Sequence, residues 1–219
     1  MLRIPEPELM LDPDQAAAYA GADFEVPHQR FIELLSARLP TLPRAGTALD
    51  LGCGPADIAC RFARAYPAWH VHGLDASPAM LALGRKALAA YELAGRVSLY
   101  ESHLPDGAAP LEAYDLVFCN SLLHHLDDPL VLWQSVKRWS RQGGPVFVMD
   151  LSRPPTPADV ERLVQQHSEG EPEVLRRDFG NSLFAAYRPE EVRLQLEQVG
   201  LGHLTLEVVS DRHFVVWGS

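Results

Sequence analysis

From residue 47 onward, short apolar runs alternate with segments whose apolar residues recur at helical spacing. Residues 47–51, 70–74, 97–101, 114–120 and 145–151 read as strands. Residues 56–66, 78–93 and 129–140 read as the helices between them. Repeated strand–helix–strand order predicts a mainly parallel sheet covered on both faces. The tail departs from this rhythm. Helices are expected over 158–166 and 189–199, followed by two strands, 204–209 and 214–217, with only a short turn between them. Such a pair is a hairpin, so the sheet should end antiparallel. Ahead of the alternating region, Asp14 can cap a helix over 15–20, and Phe31, Leu34 and Leu35 share one face of a helix over 26–39. Residues 176–187, dense in polar and aromatic groups, show little periodicity and read as an irregular segment, either the wall or lid of a pocket or a packing loop. The expected architecture is α/β: a doubly wound, mainly parallel seven-stranded sheet ending in an antiparallel hairpin, with an N-terminal helical cap. One domain is expected over 1–219, divided into a cap (1–44), a sheet core (45–151) and a terminal part (152–219).

Composition narrows the classes. The 219 residues are 47% hydrophobic and 22% charged, ordinary for a globular chain. The formal net charge is −10, and no Lys/Arg run is present. Repulsion from phosphate backbones argues against a nucleic-acid partner and favours a small molecule. Three cysteines without a C-x-x-C pair suggest neither a disulfide framework nor a zinc site. The start lacks a basic region followed by an apolar one, and no run of about 18 apolar residues occurs, so no membrane partner is expected and the cytoplasm is the default compartment.

The chemistry gathers at strand ends. Asp50-Leu51-Gly52-Cys53-Gly54-Pro55 closes the first strand, where glycines let the backbone turn sharply and approach a ligand. Asp75 closes the second strand, about 20 residues further on, where an acid can accept hydrogen bonds from ribose hydroxyls. Taken alone, Asp75 could equally cap the helix that follows. The third glycine of a dinucleotide fingerprint is replaced by Asp57, whose charge would oppose a pyrophosphate at the helix N-terminus. A nucleoside carrying a cationic amino-acid tail suits Asp50 and Asp57 far better.

These segments resemble a known family. Residues 48–55 are similar to motif I of class I S-adenosylmethionine-dependent methyltransferases. Gly73-Leu74-Asp75-Ala76-Ser77-Pro78-Ala79-Met80-Leu81 resembles the ribose motif of that family, and residues 114–126 resemble its fourth-strand motif. The resemblance implies S-adenosylmethionine as cofactor and a methyl acceptor, expected here to be a small molecule. It implies cofactor contacts from Asp50, Gly52, Gly54 and Asp75, with Met80 near the adenine and Asn120 near the methionine part. Cys53 and Ala76, in the same two turns, join the expected set, and Tyr19 of the cap could cover the cofactor. Many members place an Asp after the third strand to bond the adenine; here that position holds His103.

Catalytic candidates are fewer. His124 could serve as a general base for the acceptor or simply fix its loop. Arg153, leaving the fifth strand, could grip a carboxylate or phosphate and so favour an anionic acceptor, or form an ion pair. His125 reads as structural. A metal site on His124, His125, Asp127 and Asp128 has no supporting ligand spacing, and none is expected. Competing functions are a different enzyme or a non-catalytic binding protein on the same fold. Asp57 argues against a dehydrogenase, and the intact Gly52, Gly54 and Asp75 argue against loss of ligand binding.

Overall fold

The structure, a computed structural model, describes residues 1–6 and 25–219. After α1 (Glu25–Arg38) the chain alternates: β1 (Gly46–Leu51), α2 (Asp57–Ala65), β2 (Trp69–Asp75), α3 (Pro78–Ala90), β3 (Val97–Glu101) and β4 (Leu116–Asn120). A single 3₁₀ turn (Leu123–His125) leads into α4 (Leu130–Trp139) and β5 (Val146–Leu151). Three helices follow, α5 (Pro157–His167), α6 (Glu173–Ala185) and α7 (Pro189–Gln198), then the hairpin β6 (Thr205–Val208) and β7 (His213–Gly218).

The seven strands form one sheet in the order β3-β2-β1-β4-β5-β7-β6. β1 through β5 pair in parallel, and β7 runs antiparallel to both β5 and β6. The sheet is therefore the doubly wound, hairpin-terminated one that the hydrophobic pattern predicts. All six residues of β5 are buried, as are the first four of β4. Continuous apolar runs of this kind mark strands with helices on both faces. On one face Phe31, Phe62, Phe118 and Phe147 pack together, the Phe31 and Phe147 rings edge to face at 5.0 Å. On the other, Trp133, Val117, Val148 and Phe214 pack, and Trp133 Nε1 donates to Gln195 Oε1 at 2.9 Å.

The strand order reverses at β1. The chain winds outward through β2 and β3, then crosses back to place β4 on the other side of β1. At such a switch point the two connections leave in opposite directions and open a crevice beyond the carboxyl ends of the strands. The turns carrying Gly52 and Asn120 flank this crevice.

One expectation needs correcting. The segment read as irregular contains α6, a 13-residue helix. Phe179 and Leu183 stand four residues apart and pack, with Phe184, against Val160 and Leu163 of α5. Tertiary burial of this narrow stripe outweighs the polar neighbours Arg176, Arg177 and Asp178 and the weak helix former Gly180. The helix expected over 15–20, and Tyr19 within it, lie outside the described residues.

Candidate functional site

The two turns after β1 and β2 interlock. Gly52 and Cys53 both donate their backbone N–H to Leu74 O, at 2.8 and 3.0 Å. Gly52 has φ +68° and Gly54 φ +52°, conformations that disfavour a side chain. At Gly52 a Cβ would also strike Leu122, 2.9 Å away, on the turn after β4. At Gly54 it would meet no described atom within 4 Å. Asp75 ties the turns together: Oδ2 accepts from Gly54 N and Oδ1 from Ser77 N, each at 2.8 Å. The N-cap of α3 is Ser77, whose Oγ accepts from Met80 N at 3.3 Å. Capping of α3 thus belongs to Ser77, and Asp75 sits one turn earlier, at the cavity wall.

The cavity occupies the crevice between the β1 and β4 ends. Asp50, Gly52, Cys53, Gly54, Asp75, Ala76, Met80, His103 and Asn120 all line it. Cys53 presents chiefly its backbone, because its Sγ packs back over Gly73, where an added Cβ would lie 2.8 Å from it. Burial pushes the Cys53 thiol well above its usual pKa, so it is no nucleophile at neutral pH.

Three carboxylates give the cavity its electrostatic character. Asp50 is only 1% exposed, and its Oδ2 has no hydrogen-bond partner among the described residues. Burial, reinforced by the nearby Asp75 charge, drives its pKa well up. Burial likewise raises Asp75, against the backbone hydrogen bonds that it accepts. Asp57 is also half-desolvated, but hydrogen bonds from His28 Nδ1 (2.6 Å) and Arg61 Nε (2.7 Å) outweigh burial and lower its pKa. Asp57 therefore remains ionised at the position where a dinucleotide fold has glycine. Among the described lining residues there is no Lys or Arg. A buried carboxylate oxygen without a donor is costly, and a ligand ammonium is the kind of donor that relieves it.

The ends of β4 and β5 are arranged differently from the expectation. His124 is buried and does not line the cavity; its Nδ1 lies 2.6 Å from Asp150 Oδ1. Asp150 Oδ2 accepts from Leu123 N at 2.7 Å, which fixes the 3₁₀ turn. Burial works against charge on the His124 ring, but Asp150 and Glu6 outweigh it, so the surroundings favour positive charge there. His125, read from sequence as structural, is the member of the His124–His125 pair that lines the cavity. Arg153 does not reach the cavity either. Its guanidinium is buried, donating to Ala186 O at 2.8 Å and Glu191 Oε1 at 2.5 Å. The reason is the path of the chain: Arg153 N bonds Tyr187 O at 3.3 Å, so the segment after β5 folds beneath the end of α6.

Glu6 is a residue that sequence reasoning passed over. Ile4 N donates to Phe184 O at 3.1 Å. Arg3 donates to Ala185 O at 2.6 Å and to His124 O and Leu126 O at 3.0 Å each, with its guanidinium 4.3 Å from the centre of the Tyr187 ring. This clamp sets Glu6 Oε1 3.5 Å from His124 Nε2 and 3.4 Å from His125 Nδ1. No local motif announces it, because the contact spans nearly 120 residues of sequence.

Residues 49–146 match the methyltransferase domain family. A trans-aconitate 2-methyltransferase of Azoarcus sp. (strain BH72) is 34% identical over 119 residues, which is 54% of this chain and 44% of that protein. A demethylmenaquinone methyltransferase of Halalkalibacterium halodurans is 31% identical over 112 residues, 51% of this chain and 45% of that protein. The chain thus spans less than half the length of these curated relatives. A crystal structure of an S-adenosylmethionine-dependent methyltransferase from Aquifex aeolicus superposes with a TM-score of 0.69 at 17% identity, covering 95% of this chain and 98% of that one. Over residues 49–146 the chain is similar to the methyltransferase domain family, and its fold is that of solved S-adenosylmethionine-dependent methyltransferases. The cofactor of that class is S-adenosylmethionine. No described helix is long and apolar enough to cross a membrane.

Proposed function

We propose that this chain transfers the methyl group of S-adenosylmethionine to a small molecule held beside Asn120 and His125. The observation that carries the reading is Asp50, a buried carboxylate beneath a glycine turn whose Oδ2 has no partner among the described residues, in a cavity without described Lys or Arg. S-adenosylmethionine offers a ribose, a sulfonium and an ammonium, with no phosphate. In this reading Asp75 accepts from the ribose hydroxyls, and the Asp50 side supports the cationic amino-acid part. Gly52, Cys53, Gly54 and Ala76 bring backbone within contact distance. Met80 flanks the adenine, His103 stands where many relatives have an acid for the adenine, and Asn120 meets the methionine end.

When bound, the cofactor supplies a methyl already activated by the positive sulfur. The protein has to align donor and acceptor and exclude water. A base matters only for acceptors that must lose a proton first. His125, at the cavity wall, is better placed for that than His124, whose ring is buried against Asp150. The anionic acceptor expected from Arg153 loses its support, since that guanidinium is buried against Glu191. We therefore assign the acceptor a size and no charge. The different acceptors in the relatives' names, trans-aconitate and demethylmenaquinone, fit a fold whose acceptor half varies.

The test is incubation of the purified chain with methyl-labelled S-adenosylmethionine and fractionated metabolite extract. Label in a compound of low molecular weight is the expected result. Label confined to macromolecules would overturn the small-molecule reading, and binding of NAD without S-adenosylmethionine would overturn the reading altogether.

A further inference from the structure

We propose that Glu6, His124 and His125 form a binding site for one divalent transition-metal ion of the zinc class, at the acceptor end of the cavity. Each residue offers one ligand atom, and the three atoms lie within 4.8 Å of one another; Glu6 Oε1, His124 Nε2 and His125 Nδ1 are the atoms that face each other.

Their spacing is informative. Glu6 Oε1 lies 3.5 Å from one ring nitrogen and 3.4 Å from the other. Both separations exceed the usual hydrogen-bond range of about 2.7–3.2 Å, and Glu6 Oε1 is buried without a hydrogen-bond partner among the described residues. A tetrahedral ion with bonds of about 2.0–2.1 Å holds its ligand atoms about 3.3–3.4 Å apart. The two gaps to Glu6 match edges of such a tetrahedron. One carboxylate and two imidazoles are a common ligand set for this class of ion.

The outer groups fit as well. Asp150 takes the Nδ1 side of His124 at 2.6 Å, which directs Nε2 towards Glu6. A carboxylate behind a ligating histidine fixes its tautomer and strengthens it as a ligand. Ser182 Oγ reaches the other oxygen of Glu6 at 3.4 Å and orients that carboxylate. The Arg3 clamp delivers Glu6 to the pair. Asp127 takes no part, being directed to Arg3 at 3.8 Å.

Three protein ligands leave a fourth position, and His125 places the cluster at the cavity wall. Three ligands plus an open position is the arrangement of zinc sites that hold a water or a substrate oxygen. The fourth position would take an oxygen of the acceptor, a hydroxyl or carboxylate. That would supply the cation that no described Lys or Arg brings to the cavity. This last role rests on the methyl-transfer reading; the metal site does not.

The experiment uses the untagged full chain, stripped by a chelator and titrated with Co²⁺. One equivalent should bind and give the visible absorption of a four-coordinate nitrogen and oxygen site. Glu6→Gln and His125→Asn should each weaken binding by about 100-fold or more, given that even outer-shell changes cost about 10- to 100-fold. S-adenosylhomocysteine binding, measured alongside on the parent and on Glu6→Gln, should be the same. Stoichiometric cobalt with intact variant affinity would overturn the site. So would a spectrum dominated by thiolate-to-cobalt bands, or a parent chain that binds no cobalt but binds S-adenosylhomocysteine. If S-adenosylhomocysteine fails to bind while cobalt does, the methyl-transfer reading falls and the metal site stands.

Discussion

The turns after β1 and β2 are joined through one carboxylate, Asp75, which comes from the same short stretch of chain. The ends of β4 and β5 are joined through Asp150, and reach out to Glu6 near the start of the chain and to Tyr187 and Glu191 beyond α6. In the first region the polar groups are left facing the cavity, with Asp50 Oδ2 unpartnered among the described residues and Asp57 held ionised at the rim. In the second they are mostly consumed internally: His124 by Asp150, and Arg153 by Ala186 and Glu191. Polar residues at strand ends therefore carry two different duties here. Those of β1 and β2 face the cavity, whereas most of those of β4 and β5 hold the chain's own return path.

The strongest break in this comparison is Asp150→Ala. It strands the buried His124 and removes the acceptor for Leu123 N. Breaking a buried charged pair costs about 3–5 kcal/mol, so chemical denaturation should show a loss of that size. A loss under about 1 kcal/mol would mean that the second region is not held together this way. Asp75→Ala should act in the opposite sense, on binding and not on folding. Calorimetry with S-adenosylhomocysteine should lose about 1–3 kcal/mol, or about 5- to 150-fold in Kd, with melting near the parent. Equal binding would reduce Asp75 to a brace for the Gly54 and Ser77 turns.

Asp50→Asn sharpens the contrast further. Removing a buried charge without a donor should raise stability by about 1 kcal/mol while weakening S-adenosylmethionine binding about tenfold. A variant both less stable and equally tight-binding would place the value of Asp50 in the fold. The smallest effect is one of pH. Asp75 is faced by Asp50, His103 and Cys53, and burial raises both carboxylates. Each must be ionised to receive a cationic ligand. As pH falls through their raised pKa values, affinity for S-adenosylmethionine should fall, beginning above the ordinary carboxylate range of about 4. Binding in that window should release protons, detectable as a buffer-dependent heat. Affinity flat down to the ordinary range would show that neither group is perturbed in solution.

The same contrast explains what could be read from the sequence. The alternation of strand and helix, the closing hairpin and the Gly52–Gly54–Asp75 turn set are local patterns, and each needs only neighbouring residues to be recognised. Asp57 could be read as a departure because a single position carries the information. Glu6 could not, since its partners lie across the sheet and nothing near it shows periodicity. Arg153 was misleading for a related reason. Its place at a strand end was legible, but the Ala186 and Glu191 that capture it depend on how α6 folds back. α6 itself was hidden because its burial stripe is narrow and interrupted by charges.

The acidic lining has a consequence for turnover. In the proposed reaction the sulfur enters positive and leaves neutral, so the departing nucleoside carries one unit of charge less than the arriving one. A cavity whose described walls hold Asp50, Asp57 and Asp75 but no Lys or Arg attracts the first more strongly than the second. The spent molecule is thus held more loosely by the same walls that captured its precursor, and the electrostatics that select the donor also hasten its clearance.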